Sequence, residues 1–491
     1  MGTTYLGNIR GPQGNTGLRG PQGLPGAEAI PTDAAVAGYI ATEGSSATKT
    51  ALGTRVTRTT RDALIAGLGL YLPPDGMPSF SRLPMPQIRY HAATRRFSAS
   101  VDYGYLIPKG GVTYYVSPDA PGTGNSGLNE SSPITIRNAI EKPDVGEIRY
   151  AAGTYFWNTH GWNGQTLTRA IRHIGSTQGR TRVTGWGDPA LLTWTLNGGS
   201  VYKTTRAATT KVVDVDNLTA TGDYTQYEKR ADVASMTAPG QWATVSGVVY
   251  VWPIGNTDMT TAAGRSQVRL QVTIRSGIIT AGPTQYVENI DFEGNANTNA
   301  VAGSGDAVII LKDCKIKYAT YGVALTGGAV ILERVEVAVT STDAISYHST
   351  TGTSRVEFME IDCNVRNAGT PGVSNDNAST AHETTIGIRV NGTYRSTYGP
   401  VIADVGSTRT WLLGCDAGDS LNTVDAGNSA FHCDGVGAAA GAAAVMFVDR
   451  VTARNAKFGL LAPSNGTIYK TTVENVAVVT AESGSVITYQ P

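Results

Sequence analysis

The sequence predicts a mainly β protein, a parallel β-helix assembled as a homotrimer behind a collagen-like triple helix and a short helical segment. Three observations carry that prediction. Glycine stands at every third position of "GPQGNTGLRGPQGLPGAE" (11–28). Strand-like segments of the second half recur at separations of 21 and 22 residues. Charged residues make up only 16% of the 491-residue chain, while its 59 glycines, with plentiful Thr, Val and Ala, suit short strands joined by tight turns.

Gly11, Gly14, Gly17, Gly20, Gly23 and Gly26 hold strict phase, and Pro12, Pro21 and Pro25 fill other triplet positions. Three polyproline-like strands wound together leave room at their axis for a hydrogen atom only, so these glycines are assigned to a trimer axis. A flexible linker would be glycine-rich without keeping phase. At ~3.1 Å per residue the rod would span roughly 50 Å. Six triplets are too few to hold alone, because ordering entropy needs support from neighbouring parts. The next segment, 29–72, supplies N-cap signals at Thr32 or Asp33 and at Ser45 or Ser46. Apolar positions follow at Leu52, Val56, Ala63 and Leu64. It reads as short trimerising helices without a sustained heptad. Residues 1–10 read as an attachment segment, 73–110 as a linker or neck, and 111–491 as the β-helix domain.

The 39 basic and 39 acidic side chains cancel, which argues against a nucleic-acid partner. "MGTTYLGNIR" lacks the charged and apolar regions of a secretory signal, and "GVGAAAGAAAVMFV" (435–448) is too short to span a bilayer. A product made without export that nevertheless carries an extended rod fits a virus structural component released by lysis. Cys314, Cys363, Cys415 and Cys433 form no CxxC pair and no zinc spacing, so buried free thiols are expected.

The rungs are read by alignment. Setting "LKDC" over "LERV" places Cys314 on Val335, a separation of 21; Val451 to Val473 is 22, and Cys415 to Val451 stretches to 36. A repeat of this length with variable loops is what stacked coils need, since each touches only its neighbours and insertions leave at corners. Cys314 and Cys415 then take valine positions in an inward column. Ahead of the rungs, Ser131 or Ser132 with Pro133 signals a helix carrying Ile136 and Ile140, placed to cover the first coil's open end. Within 200–284, "PGQWATVSGVVYVWPIGN" reads as a hairpin about Ser246-Gly247, in either a side module or a long excursion.

Two stretches carry a family resemblance. "YYVSPDAPGTGNSGLNESSPITIRNAIEKPDVGEIRYAAGTY" (114–155) resembles the opening of pectin-lyase-like right-handed β-helix proteins. "DNASTAHETTIGIRVNGTYRSTYGPVIADVGSTRTWLLGCDAGDS" (376–420) resembles a recurrent block in β-helix tail proteins of bacterial viruses. With the triplets, the whole chain resembles a bacteriophage tail fibre or tailspike. The resemblance implies a minor tail protein of the virion acting outside the host cell. Its partners would be tail baseplate or tip proteins and host surface polysaccharide.

Sugar rings present apolar faces and hydroxyl edges, so a sugar site needs aromatics beside polar groups. Tyr155, Trp157, His160 and Trp162 of "TYFWNTHGWNG" are glycan-binding candidates, with His382 and Arg389. The competing reading has the aromatics plugging the base of the coil or packing across the threefold interface. Glycan hydrolysis usually needs two carboxyl groups, one kept protonated. Asp306, Asp343, Asp376, Glu383 and Asp404 are the catalytic candidates, against a reading as solvated turn residues or buried loop anchors. Asp306 and Asp343 follow similar small-residue turns and are expected to stack. His382 and Glu383, adjacent in a strand, are expected to face opposite sides. No calcium-type acidic cluster and no GxSxG elbow occur, and no metal or cofactor is expected. The leading expectation is glycan binding during adsorption. A glycan-degrading hydrolase or lyase is the first alternative, and a non-enzymatic tail adaptor the second.

Overall fold

The computed structural model describes residues 70–488 except 123, 162–165, 207–208, 273–276, 297–298, 350–354, 374, 424–426, 439–441, 475–478 and 482–483. The attachment segment, the six axial glycines, the expected helices up to residue 69 and Trp162 therefore lie outside the described residues.

From Val112 onward the chain winds through three long parallel sheets, adding one strand to each per coil. The first sheet has 12 described strands, from Val112–Val116 to Ser485–Thr488; the second and third have 10 each. The separations read from sequence are the registers observed. Lys315 pairs with Glu336, Val451 with Val473 and Asp416 with Thr452.

The corner from the first sheet to the second shows why that alignment works. Asn289, Asp313, Arg334, Asp362, Asn391 and Arg450 all stand there in the left-handed region, with φ of 52–59°. Gly414 takes the same place at φ 61°. Each such side-chain-bearing residue costs ~1–2 kcal/mol. Part of that is offset by a ladder between coils: Asp313 N donates to Glu333 O at 3.0 Å, Arg334 N to Ile361 O at 2.8 Å, and Asp362 N to Val390 O at 2.9 Å. Cys314, Val335, Cys363, Cys415 and Val451 follow directly and are buried in one continuous core. All four cysteines are free and buried, and burial pushes the Cys314 and Cys415 thiols up to about 12. They are packing residues.

A short helix, Ile136–Glu141, covers the first coil. Its cap is Thr135, whose hydroxyl accepts from Asn138 N, rather than Ser131 or Ser132. Ile134 still bridges to Val116, so the chain stays extended up to the cap. Ile136 is buried and Ile140 packs against the same core.

Two additions decorate the stack. Residues 186–272 form a mostly antiparallel side module whose neck is closed by a bridge between Trp186 and Gln271. Its hairpin pairs Gln241–Val245 with Val248–Trp252 about Ser246 and Gly247, both left-handed. Trp194, Tyr202, Trp242, Val249 and Leu270 give it a core of its own. The second addition is the stretch assigned above to a linker or neck. It runs back along the outer face of the first sheet as a strap, with a hairpin of Gln87–His91 and Arg96–Ser100. Leu70 and Tyr71, placed by sequence at the end of a helical segment, are a strand on that hairpin. Ile88 and Phe97 cover Ile388, Val390, Trp411, Leu413 and Phe447, so the first sheet is apolar on both sides.

Candidate functional site

The outer face of the third sheet is where polar side chains converge. Its strands Ile345–His348 and Ser379–His382 pair in register, Ser346 on Thr380 and His348 on His382. Ile345, Tyr347 and Ala381 point into the core. By the two-residue period of a strand, Ser346, His348, Thr380 and His382 lie on the outer face, where Ser346 and Thr380 are buried and the two histidines are partly exposed.

The strand ends carry the charges. Where the chain enters these strands, Asp343 Oδ1 accepts from Asn377 N at 2.7 Å, which sets Asp343 beside the neighbouring Asp376. Asp376 Oδ2 accepts from Thr370 N at 3.0 Å. Burial, with the Asp376 charge adding to it, pushes Asp343 up to about 7 against the Asn377 hydrogen bond. Burial also raises Asp376. Two adjacent carboxyl groups, one half-protonated near neutrality, can hold and deliver a proton.

Where the chain leaves the strands, the His348 and His382 rings stack at 4.1 Å and 11°. Thr380 Oγ1 lies 2.9 Å from His382 Nε2. Burial and the neighbouring His348 lower His382 to about 4, so it is a neutral imidazole at pH 7. Glu383 Oε1 lies 3.3 Å from His348 Nδ1, and its Oε2 accepts from Ser349 N at 3.0 Å. The expectation that His382 and Glu383 face apart is corrected. Glu383 stands just past the strand at φ 57°, and this left-handed turn brings its carboxylate to the imidazoles. One ligand atom from each of His348, His382 and Glu383 lies within 4.8 Å of the others, a set able to hold a metal ion. Two coils further, His432 Nε2 and Asp434 Oδ2 sit 3.6 Å apart on the same sheet.

The other expected site residues divide plainly. Asp404 and Arg389 are fully buried inside the coil and paired to each other at 3.1 Å, out of reach of a polysaccharide. Asp306 is exposed in the turn after Asn299–Gly303 and pairs with Arg82. It therefore occupies the opposite end of the sheet from Asp343 and the two do not stack. Tyr155 is fully buried in the main core, its hydroxyl 3.0 Å from the carbonyl oxygens of Val116 and Ala151. His160 is buried, with Nε2 2.8 Å from Pro118 O. Trp157 is half-buried under the Arg206 guanidinium. Tyr155 and His160 thus plug the base of the coil.

Ser346, His348 and Thr380 escaped sequence reasoning, yet a signal existed. "DAISYH" (343–348) and "DNASTAH" (376–382) both run from an aspartate to a histidine, with one residue more in the second. Neighbouring coils bring the two together.

No family model matches this chain, and neither does any curated protein. Solved structures similar to this chain include the following two. The chain covers 76% of its own length and 66% of a chain titled as the complex of XylC with xylose, just under two thirds of that chain, at 9% identity and a TM-score of 0.48. It covers 77% of its own length and 79% of pectate lyase Pel9A at 10% identity and a TM-score of 0.41.

Proposed function

We propose that the chain is a homotrimeric bacteriophage tail fibre or tailspike, a minor tail protein whose right-handed β-helix binds host cell-surface glycan during adsorption. The observation that carries the reading is the polar strip on the third sheet. It presents the half-exposed side chains of His348 and Glu383 beside His382, with Asp343 at the other end of the same strand and Ser346 and Thr380 buried beneath. Coils repeat at about 4.8 Å, so the rows of donors and acceptors step at a spacing a sugar ring can bridge. Three copies held by a collagen-like stem multiply weak sites, so modest affinity per chain suffices.

Binding of the purified full chain to host surface polysaccharide tests this. His348→Ala combined with Glu383→Gln should weaken binding roughly tenfold, the loss of one or two hydrogen bonds per site. Trp157→Ala, under Arg206 and off the strip, should leave binding unchanged. The reverse pattern would return the site to the base of the coil.

One observation favours cleavage as a second reading: Asp343, pushed up to about 7 beside Asp376, suits a general acid. Its acid form prevails below that value, so new reducing ends should appear below about pH 7 and fade above it. Asp343→Asn should abolish them while binding persists. Absence of product from every glycan that binds leaves adhesion alone.

A further inference from the structure

We propose that His348, His382 and Glu383 form a binding site for a divalent transition-metal ion of the zinc class. The inference does not depend on the sugar reading, because it rests on how the three donors are assembled.

Two features of the coil build the site. First, parallel in-register pairing of His348 with His382 places two imidazoles one coil apart, with rings 4.1 Å from centre to centre. Thr380 engages Nε2 of His382 at 2.9 Å, which leaves Nδ1 of that ring without a hydrogen-bond partner among the described residues. A hydrogen bond to one ring nitrogen fixes the tautomer and orients the other as a ligand. Second, Glu383 is held in a left-handed conformation at φ 57°. The matching corner of the next coil carries Gly406 at φ 86°, packed 3.1 Å from Glu383 Cα as measured from where its Cβ would stand. These two coils share a left-handed corner, a conformation that glycine takes without strain. Glutamate here is a costly choice for the fold, and its carboxylate both accepts from Ser349 N and stands against the imidazoles. Strain kept where a cheaper residue fits points to function.

The donor chemistry selects the ion. Two imidazole nitrogens and one carboxylate suit Zn2+ and its neighbours with a further position open, whereas Ca2+ and Mg2+ prefer all-oxygen shells. The side chains of His348 and Glu383 are 45% and 44% exposed, so an ion has an entry path and room for a fourth ligand.

The test uses the untagged full chain, stripped with a chelator, then titrated with Zn2+ in competition with a chromophoric chelator and with Co2+ followed by visible absorption. One ion per chain is expected, with the absorption of a low-coordinate Co2+ site and a Zn2+-dependent rise in melting temperature. His348→Ala and His382→Ala should each weaken binding at least about tenfold, and Thr380→Val by roughly tenfold. His432→Ala, elsewhere on the sheet, should change nothing. Glu383→Gly separates the site from the fold. It keeps the left-handed corner while removing the carboxylate, so the variant should retain its folded circular dichroism spectrum while losing the ion. Binding equal in the unmodified chain, His348→Ala and Glu383→Gly would overturn the proposal and leave a plain histidine–glutamate ion pair.

Discussion

Arg389 sits inside the coil with no solvent contact, its Nη2 3.1 Å from Asp404 and its Nε 3.4 Å from Glu360. Ser379 and Tyr394 each donate to Glu360 at 2.7 Å, Thr410 donates to Asp404, and the guanidinium lies 4.7 Å over the Phe358 ring. Gly387 makes that possible, since a Cβ there would fall 2.1 Å from the same ring. The sequence could not place this cluster. In "IGIRV" (386–390) the apolar row reads as the core face and Arg389 as the wet one. The parity is inverted because the strap covers Ile388 and Val390 from outside. One cation between two carboxylates makes the arrangement costly to break and weak evidence for net stability. Arg389→Met should therefore lose about 3–5 kcal/mol, because two buried carboxylates remain uncompensated. Changing Glu360, Arg389 and Asp404 together to Gln, Met and Leu should recover most of it. Denaturant midpoints of the two variants against the unmodified protein check both. Equal loss in single and triple variants would mean the network stabilises outright.

At the scale of elements, the middle of the strap is gripped by Glu357, while Asn391, Asp449 and Glu333 hold it elsewhere. Glu357 lies fully buried on the outer face of the first sheet and accepts from Ser81 N and Arg82 N at 2.7 Å, Leu83 N at 3.2 Å and Ser81 Oγ at 2.5 Å. Hydrogen bonds to a charged acceptor contribute ~1.5–3 kcal/mol each, and buried N–H groups left without an acceptor add to the loss. Glu357→Ala should release the strap by about 3 kcal/mol, a roughly hundredfold rise in its open population. Hydrogen exchange at residues 81–83 and protease cleavage within 72–86 should quicken, while the coils beneath stay protected. The corners were legible in sequence for the same reason the strap was not. A left-handed residue followed by Cys or Val is a local signal, repeated in "LKDC", "LERV" and "EIDC". Glu357 and Ser81 are joined only across 276 residues. His348 and His382 lie between these cases: their partnership needs the length of one coil, which varies from 18 to 36 residues and reaches 114 where the side module is inserted.

For the whole molecule, the proposed triple-helical stem makes a prediction about how it unfolds. The core that runs through the coils, from Tyr114 to Ile468, is assembled from described residues of a single chain. Coils of this kind draw their stability from contacts between neighbours, so the body has what it needs to fold without a partner chain. The glycine triplets have no such resource. A triple helix exists only when three chains meet, and six triplets bury too little to offset their ordering without a tethered body. Two separable transitions are the expected consequence: an early one for the stem and a late one for the coils. Light scattering on the full chain should return about three times the 51.4 kDa of one copy. Gly17→Ala, which places a methyl group at a crowded axis, should lower the first transition and leave the second where it was. A chain beginning at residue 70 should keep its β-sheet circular dichroism and its late transition, yet weigh as a single copy. If that shortened chain still weighs as three copies, the coils themselves hold the trimer. A full chain that weighs as one copy would remove the triple helix, and with it the gain from linked weak sites on which the adhesive role depends.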